Sequence, residues 1–156
     1  MAITDGTPAS LSSVQTMRPR PRVIVLARDP APVTGKVLLA AGVTCLDRAI
    51  LAEQDLLHAI HRTAHGEPMF LTSDGHRHKT PVRLTNRETD VLELLSAGQR
   101  YAAIAHTLGI QVGTVTKYVG KLLDKFDAAS KRDFIGVPAE WLRESPGHRT
   151  TTSAGE

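Results

Sequence analysis

A chain of 156 residues with a formal net charge of +3 and a pI near 9.3 has room for one ordinary domain or two small ones, and is only mildly basic. Hydrophobic residues make up 41% and aromatics 4%, so the core must be built from Leu, Val, Ile and Ala. The single cysteine, Cys45, excludes an intramolecular disulfide framework. No apolar stretch reaches the roughly 20 residues that cross a bilayer, and residues 1–17 lack the basic start and apolar segment of a signal peptide. The expected location is the cytoplasm, with no membrane partner.

Residues 1–21 are rich in Ser, Thr and Pro and end in Arg18-Pro19-Arg20-Pro21. That run suits neither a helix nor a central strand, so it predicts a disordered leader. Residues 22–71 read as a small α/β segment. Val23-Ile24-Val25-Leu26 is a continuous, β-branched apolar run and predicts a buried strand. Asp29-Pro30-Ala31-Pro32 predicts a turn, 33–41 a short helix closed by Gly42, and 43–46 a second strand. Cys45 falls in that apolar run, which reads as a small core residue rather than a reactive thiol. A helix over 52–65 follows, with Leu56, Leu57, Ile60 and Ala64 at helical spacing and Gly66 beyond its end. The alternation predicts parallel pairing. Two strands alone make a marginal sheet, so this segment calls for a cover.

Residues 72–81 (TSDGHRHKTP) read as a linker, and 145–156 as a disordered tail. Between them, 82–144 reads as an α-helical domain. Thr85 and Glu88 stand at the spacing of a capping box. Val91, Leu92, Leu94 and Leu95 supply the buried face of a first helix that Gly98 ends. A second helix over 101–108 turns Ile104, Ala105 and Leu108 inward, and Gly109 supplies the left-handed turn residue. The third helix starts near Gln111. It carries an apolar stripe of Val115, Val119, Leu122 and Phe126, and a basic stripe of Lys117, Lys121 and Lys125 on another side. Two compact helices, a glycine turn and a two-faced third helix are the layout of a helix-turn-helix, which lays its last helix in the major groove of DNA. Thr114, in the first turn, can offer its hydroxyl to a phosphate beside free backbone N–H groups.

Two other patterns carry less. Thr34-Gly35-Lys36 lacks the earlier glycine and the following Ser or Thr of a phosphate-binding loop. His58, His61 and His65 lie on one helix, yet a metal site needs further ligands in fixed geometry. No catalytic motif is present, so neither enzyme activity, nor a cofactor, nor a metal is expected.

The segment 84–135 resembles the LuxR/FixJ-type (NarL-like) DNA-binding domain of bacterial transcription regulators. The matching pieces are Leu84-Thr85-x-Arg87-Glu88, Val91-Leu92-x-Leu94-Leu95-x-x-Gly98, Ile104-Ala105-x-x-Leu108-Gly109-Ile110, Thr114-Val115, and Lys125 with Ser130-Lys131. The resemblance implies four helices, the third in the groove and the fourth often a dimer contact. It implies base contacts at Thr116, Lys117 and Gly120, and phosphate contacts at Thr114, Lys121 and Lys125. Arg100 and Gln111 depart from the hydroxyl caps usual in that family, Ala102-Ala103 from its Lys-Glu pair, and Thr116 and Gly120 from its longer side chains.

The α/β segment resembles the second half of a response-regulator receiver, truncated and degenerate. Val23-Ile24-Val25-Leu26 would be its fourth strand and 43–46 its fifth. Ala27 stands in place of the hydroxyl after the fourth strand, and Ala49 in place of the lysine after the fifth. The acidic residues that carry phosphoryl transfer belong to the first half of that fold, so no control by aspartyl phosphorylation is expected. The whole predicts a regulator that binds duplex promoter DNA as a homodimer. The alternative is a protein-interaction module whose helix-turn-helix scaffold contacts RNA polymerase or another regulator.

Overall fold

The computed structural model describes residues 1–17, 19 and 21–144; the tail expected over 145–156 lies outside them. The order of elements is β1 (Ala2–Thr4), α1 (Pro8–Gln15), β2 (Val23–Ala27), α2 (Pro32–Ala40), β3 (Thr44–Asp47), α3 (Glu53–Ala64), β4 (Phe70–Leu71), β5 (Arg77–His78), α4 (Asn86–Ser96), α5 (Tyr101–Leu108) and α6 (Val112–Phe126). Two 3-10 turns, Lys131–Phe134 and Ala139–Glu144, close the described chain.

The α/β part is larger than its sequence pattern predicts. The strands form one sheet in the order β1-β2-β3-β4-β5, with β1 to β4 parallel and β5 antiparallel to β4. The expected disordered leader is corrected: it holds β1 and α1. Ala2 pairs with Val23, and the Ala2 amide donates to the Arg22 carbonyl at 2.7 Å. The Ser/Thr/Pro composition is capping chemistry here. Thr7 is the N-cap of α1, its hydroxyl accepting from the Ser10 amide, and Pro8 sits where a helix does not need its N–H. The linker also begins later than expected. Leu71 pairs with Arg77, the Thr72 amide donates to the His76 carbonyl at 2.9 Å, and the Phe70 and His78 rings stack at 5.6 Å. Arg77 is also ion-paired with Asp55 of α3.

Alternation along β2 divides the core. Ile24 faces Leu46, Ala59, Met69 and Leu71 under α3. Val23 and Val25 face Cys45, Phe70, α1 and α2, and that cluster runs on without a break into Val91, Leu92, Ile104, Val115, Leu122, Phe134 and Trp141. Cys45 is fully buried and its thiol is pushed up to about 12, by burial first and then by the Asp47 charge. It is an inert core residue.

The bridge between the halves is α2. Val33, Val37, Leu38 and Leu39 are all buried; apolar positions spread around the helix let it be covered from two directions. It packs against β3 and β4 below, and against α6 and both 3-10 turns above. The Lys36 ammonium donates to the Phe126 carbonyl at the end of α6 at 3.1 Å. Thr34-Gly35-Lys36 therefore lies inside a helix, not in a phosphate loop.

Gly35 is required for this packing. A Cβ at Gly35 would lie 2.2 Å from the Phe70 ring, whereas a Cβ at Gly120 would meet nothing within 4 Å. Gly35→Ala should therefore destabilise the chain by about 1–3 kcal/mol through overpacking. Gly120→Ala should stabilise it by roughly 0.5–1 kcal/mol through helix propensity. Urea unfolding of the two variants checks both signs.

Candidate nucleic-acid interface

The helical domain is built as the sequence predicts at its first three helices. The capping box is complete: the Thr85 hydroxyl accepts from the Glu88 amide at 3.2 Å, and the Glu88 carboxylate accepts from the Thr85 amide at 2.9 Å. Gly109 takes φ 64° and ψ 36°, the left-handed conformation that turns α5 into α6. Asp127 ends α6 with φ 52°, a conformation that aspartate tolerates better than bulkier residues. The fourth helix is realised as the 3-10 turn Lys131–Phe134, capped by Ser130 and Asp133. Phe134 meets Phe126 edge-on at 5.8 Å, and the Lys131 ammonium lies 4.6 Å from the Tyr101 ring centroid. Arg143 of the last turn bridges Asp90 and Glu93, fastening that turn to α4.

On α6, Val115, Val119, Leu122 and Phe126 are buried. At about 100° per residue, the side facing away carries Gly113, Thr116, Lys117, Gly120, Lys121 and Asp124. Thr116, Lys117 and Lys121 are exposed. The Thr116 hydroxyl is turned back onto the Val112 carbonyl at 3.1 Å, and the Lys121 ammonium lies 5.7 Å from the Tyr118 ring centroid. Gly113 and Gly120 leave open space. Asp124 puts one negative charge on the same side, a feature the sequence pattern did not single out.

The helix start is suited to an anion. Gln111 caps it without a side-chain bond, and the first turn holds no acidic residue. The Thr114 and Val115 amides turn back to the Gln111 carbonyl. The earlier amides, those of Val112 and Gly113, have no acceptor within the helix, and the positive end of the helix dipole lies there. Thr114, half-buried, stands beside them.

Lys125 has a different part from the one its stripe suggests. Its ammonium lies 2.7 Å from the Glu88 carboxylate and 3.0 Å from the Arg83 carbonyl. The Glu88 side chain is only 4% exposed. Burial pushes the Glu88 carboxyl up, but the bonds from Lys125 and the Thr85 amide outweigh it and hold the carboxyl below its ordinary value. Lys125 is therefore the counter-ion of the α4 capping box, locking α6 across α4. Sequence spacing groups the three lysines together. The path of α4, which separates Lys125 from the others, is a tertiary feature.

The histidine row of α3 holds itself. His65 Nδ1 lies 2.8 Å from the His61 carbonyl and the two rings are 4.4 Å apart. Among the described residues no group of three potential ligands gathers to hold a metal.

A compact three-helix unit, a glycine turn and a third helix with exposed lysines define a helix-turn-helix domain. Residues 82–137 match the family described as bacterial regulatory proteins, luxR family. The chain is also similar to the transcriptional regulatory protein DesR of Bacillus subtilis (strain 168), at 28% identity over 117 residues. That match takes in 73% of this chain and 58% of DesR, so the chain spans little more than half the length of its relative. No helix among the described residues is long and apolar enough to cross a membrane.

Removing Lys125 leaves a buried carboxylate without its cation. Lys125→Met should cost about 1–3 kcal/mol near neutral pH. Because Glu88 is held below its ordinary value of 4.5 in the folded chain, its contribution is complete above that value and lost as pH falls through the folded one. In Lys125→Met only the Thr85 bonds oppose the burial, so this acid-dependent step should move to higher pH. Chemical denaturation from pH 3 to pH 7, roughly spanning that window, checks it.

Proposed function

We propose that this chain is a DNA-binding transcription regulator that places α6 in the major groove and acts in the bacterial cytoplasm. The observation that carries the reading is the division of α6: its apolar stripe is buried and Lys125 is committed to Glu88, while Lys117 and Lys121 stay exposed beside an uncapped helix start. Lys121 and Thr114 contact phosphate; Lys117 and Thr116 face the base edges. Gly120 brings no side chain and lets the backbone approach. With so few base-edge donors, affinity comes mostly from phosphates and the shape of the duplex. One module makes few contacts, so the working form is a homodimer on two half-sites.

The second reading is a protein partner for the same face, RNA polymerase or another regulator. Asp124 among the lysines and the smooth surface at Gly113 and Gly120 favour it. Titration of the full chain with duplex DNA over a range of salt decides between them. DNA binding predicts that Lys117→Ala and Lys121→Ala each weaken affinity and each lower the salt slope by about 1. No affinity at low salt contradicts it.

Control does not pass through aspartyl phosphorylation in this reading, although the structured β1 now sets Asp5 at the carboxyl end of the sheet with Asp29 and Asp47. Each of these carboxylates serves its own backbone or a neighbour. Asp5 accepts from the Thr7 amide at 3.1 Å and the Thr7 hydroxyl at 3.0 Å. Asp29 accepts from the Ser73 hydroxyl at 2.7 Å, and buried Asp47 from the Ala49 amide at 2.9 Å. Ala27 and Ala49 remain in place of the receiver's hydroxyl and lysine. Incubation with acetyl phosphate and Mg²⁺ should leave the mass unchanged; a stoichiometric phosphoryl adduct on Asp5 would overturn this view.

A further inference from the structure

A cleft of about 600 Å³ lies where the α/β part meets the helical domain. Its volume is within the range of small-molecule sites, roughly 300–1,000 Å³. One wall comes from the sheet side, where Gly6 follows β1 and Ala27 ends β2, with Leu11 of α1 and Leu38 of α2. These are carboxyl ends of parallel strands, the place where open α/β sheets take ligands. The opposite wall is the end of α4 with Val137 and Pro138. The charged residues lining the cleft, among those described, are Glu93 and Glu140; no Lys, Arg or His lines it. Glu93 already shares Arg143, whereas exposed Glu140 makes no hydrogen bond or ion pair among the described residues.

We propose that this cleft is a binding site for a small cationic amphiphile, an apolar body seated against Leu11, Leu38 and Val137 with an ammonium group paired to Glu140. The charge of the lining selects the head group: with Glu93 neutralised by Arg143, an anion would meet the Glu140 carboxylate and no lining cation to receive it. The site does not depend on the DNA-binding reading, since its walls and its charge are independent of α6.

Trp141, the single tryptophan, follows Glu140 in the chain and is fully buried, so it reports on this wall. The full chain would be titrated with three probes sharing one apolar cage: 1-aminoadamantane, 1-adamantanol and 1-adamantanecarboxylate. The amine should give a saturable change in Trp141 emission and raise the melting temperature, as a ligand of the folded state does. The carboxylate should bind at least about tenfold more weakly. Glu140→Gln, a surface change, should weaken the amine roughly tenfold and leave the alcohol unaffected. Ala27→Phe, which fills the cleft, should abolish binding of all three. Three results overturn the proposal: no saturable signal with any probe at millimolar concentration, equal binding of amine and carboxylate, or unchanged amine affinity in Glu140→Gln. Circular dichroism establishes whether Ala27→Phe folds; if it does not, Glu140→Gln alone decides.

Discussion

The rest of this structure depends on the burial of α2 from both sides. A five-stranded sheet whose edge strands run only three and two residues, and a small helical domain, each gain core by sharing one. A helix with apolar side chains on two faces serves both, because one face of Val33, Val37, Leu38 and Leu39 closes the sheet while the other reaches the helical domain. Gly35 sets the distance, letting Phe70 lie against the helix backbone, and Lys36 ties the arrangement to the last carbonyl of α6. The seating of α6 is thus linked to the α/β part through packed side chains.

A second constraint sets one charge of α6 apart from the others. Burying Glu88 is unfavourable unless something compensates it. The capping box offers one amide and Lys125 an ammonium, and together they keep the carboxylate ionised. That ammonium therefore has a partner before any DNA arrives. Lys117 and Lys121 have no such task, and they stand exposed on the side where Gly113 and Gly120 leave open space. The same side carries Asp124, so its field is weaker than the lysines alone suggest.

The helical domain was legible in the sequence because its signals are local. A capping box, a left-handed glycine and an apolar stripe each act within a few residues, and all of them are found where the pattern predicts. The α/β part was legible only at its centre. Val23-Ile24-Val25-Leu26 declares a buried strand through composition, but Ala2–Thr4, Phe70–Leu71 and Arg77–His78 are strands only because a neighbour pairs with them. Three residues carry no period to detect. Thr7-Pro8, a helix start, was hidden in a composition that usually signals disorder. At the site, spacing along α6 showed which residues share a face, yet the crossing of α4 over Lys125 is a long-range contact that no window along the chain contains.

The account centres on α6 as the face that meets duplex DNA. The most direct measurement is amide chemical-shift mapping of the full chain during titration with a duplex at low salt. The account predicts that shifts concentrate at Val112, Gly113, Thr116, Lys117, Gly120 and Lys121, with β2 and α3 unmoved. Shifts centred on α3 or the β4–β5 hairpin, with α6 unmoved, would contradict it.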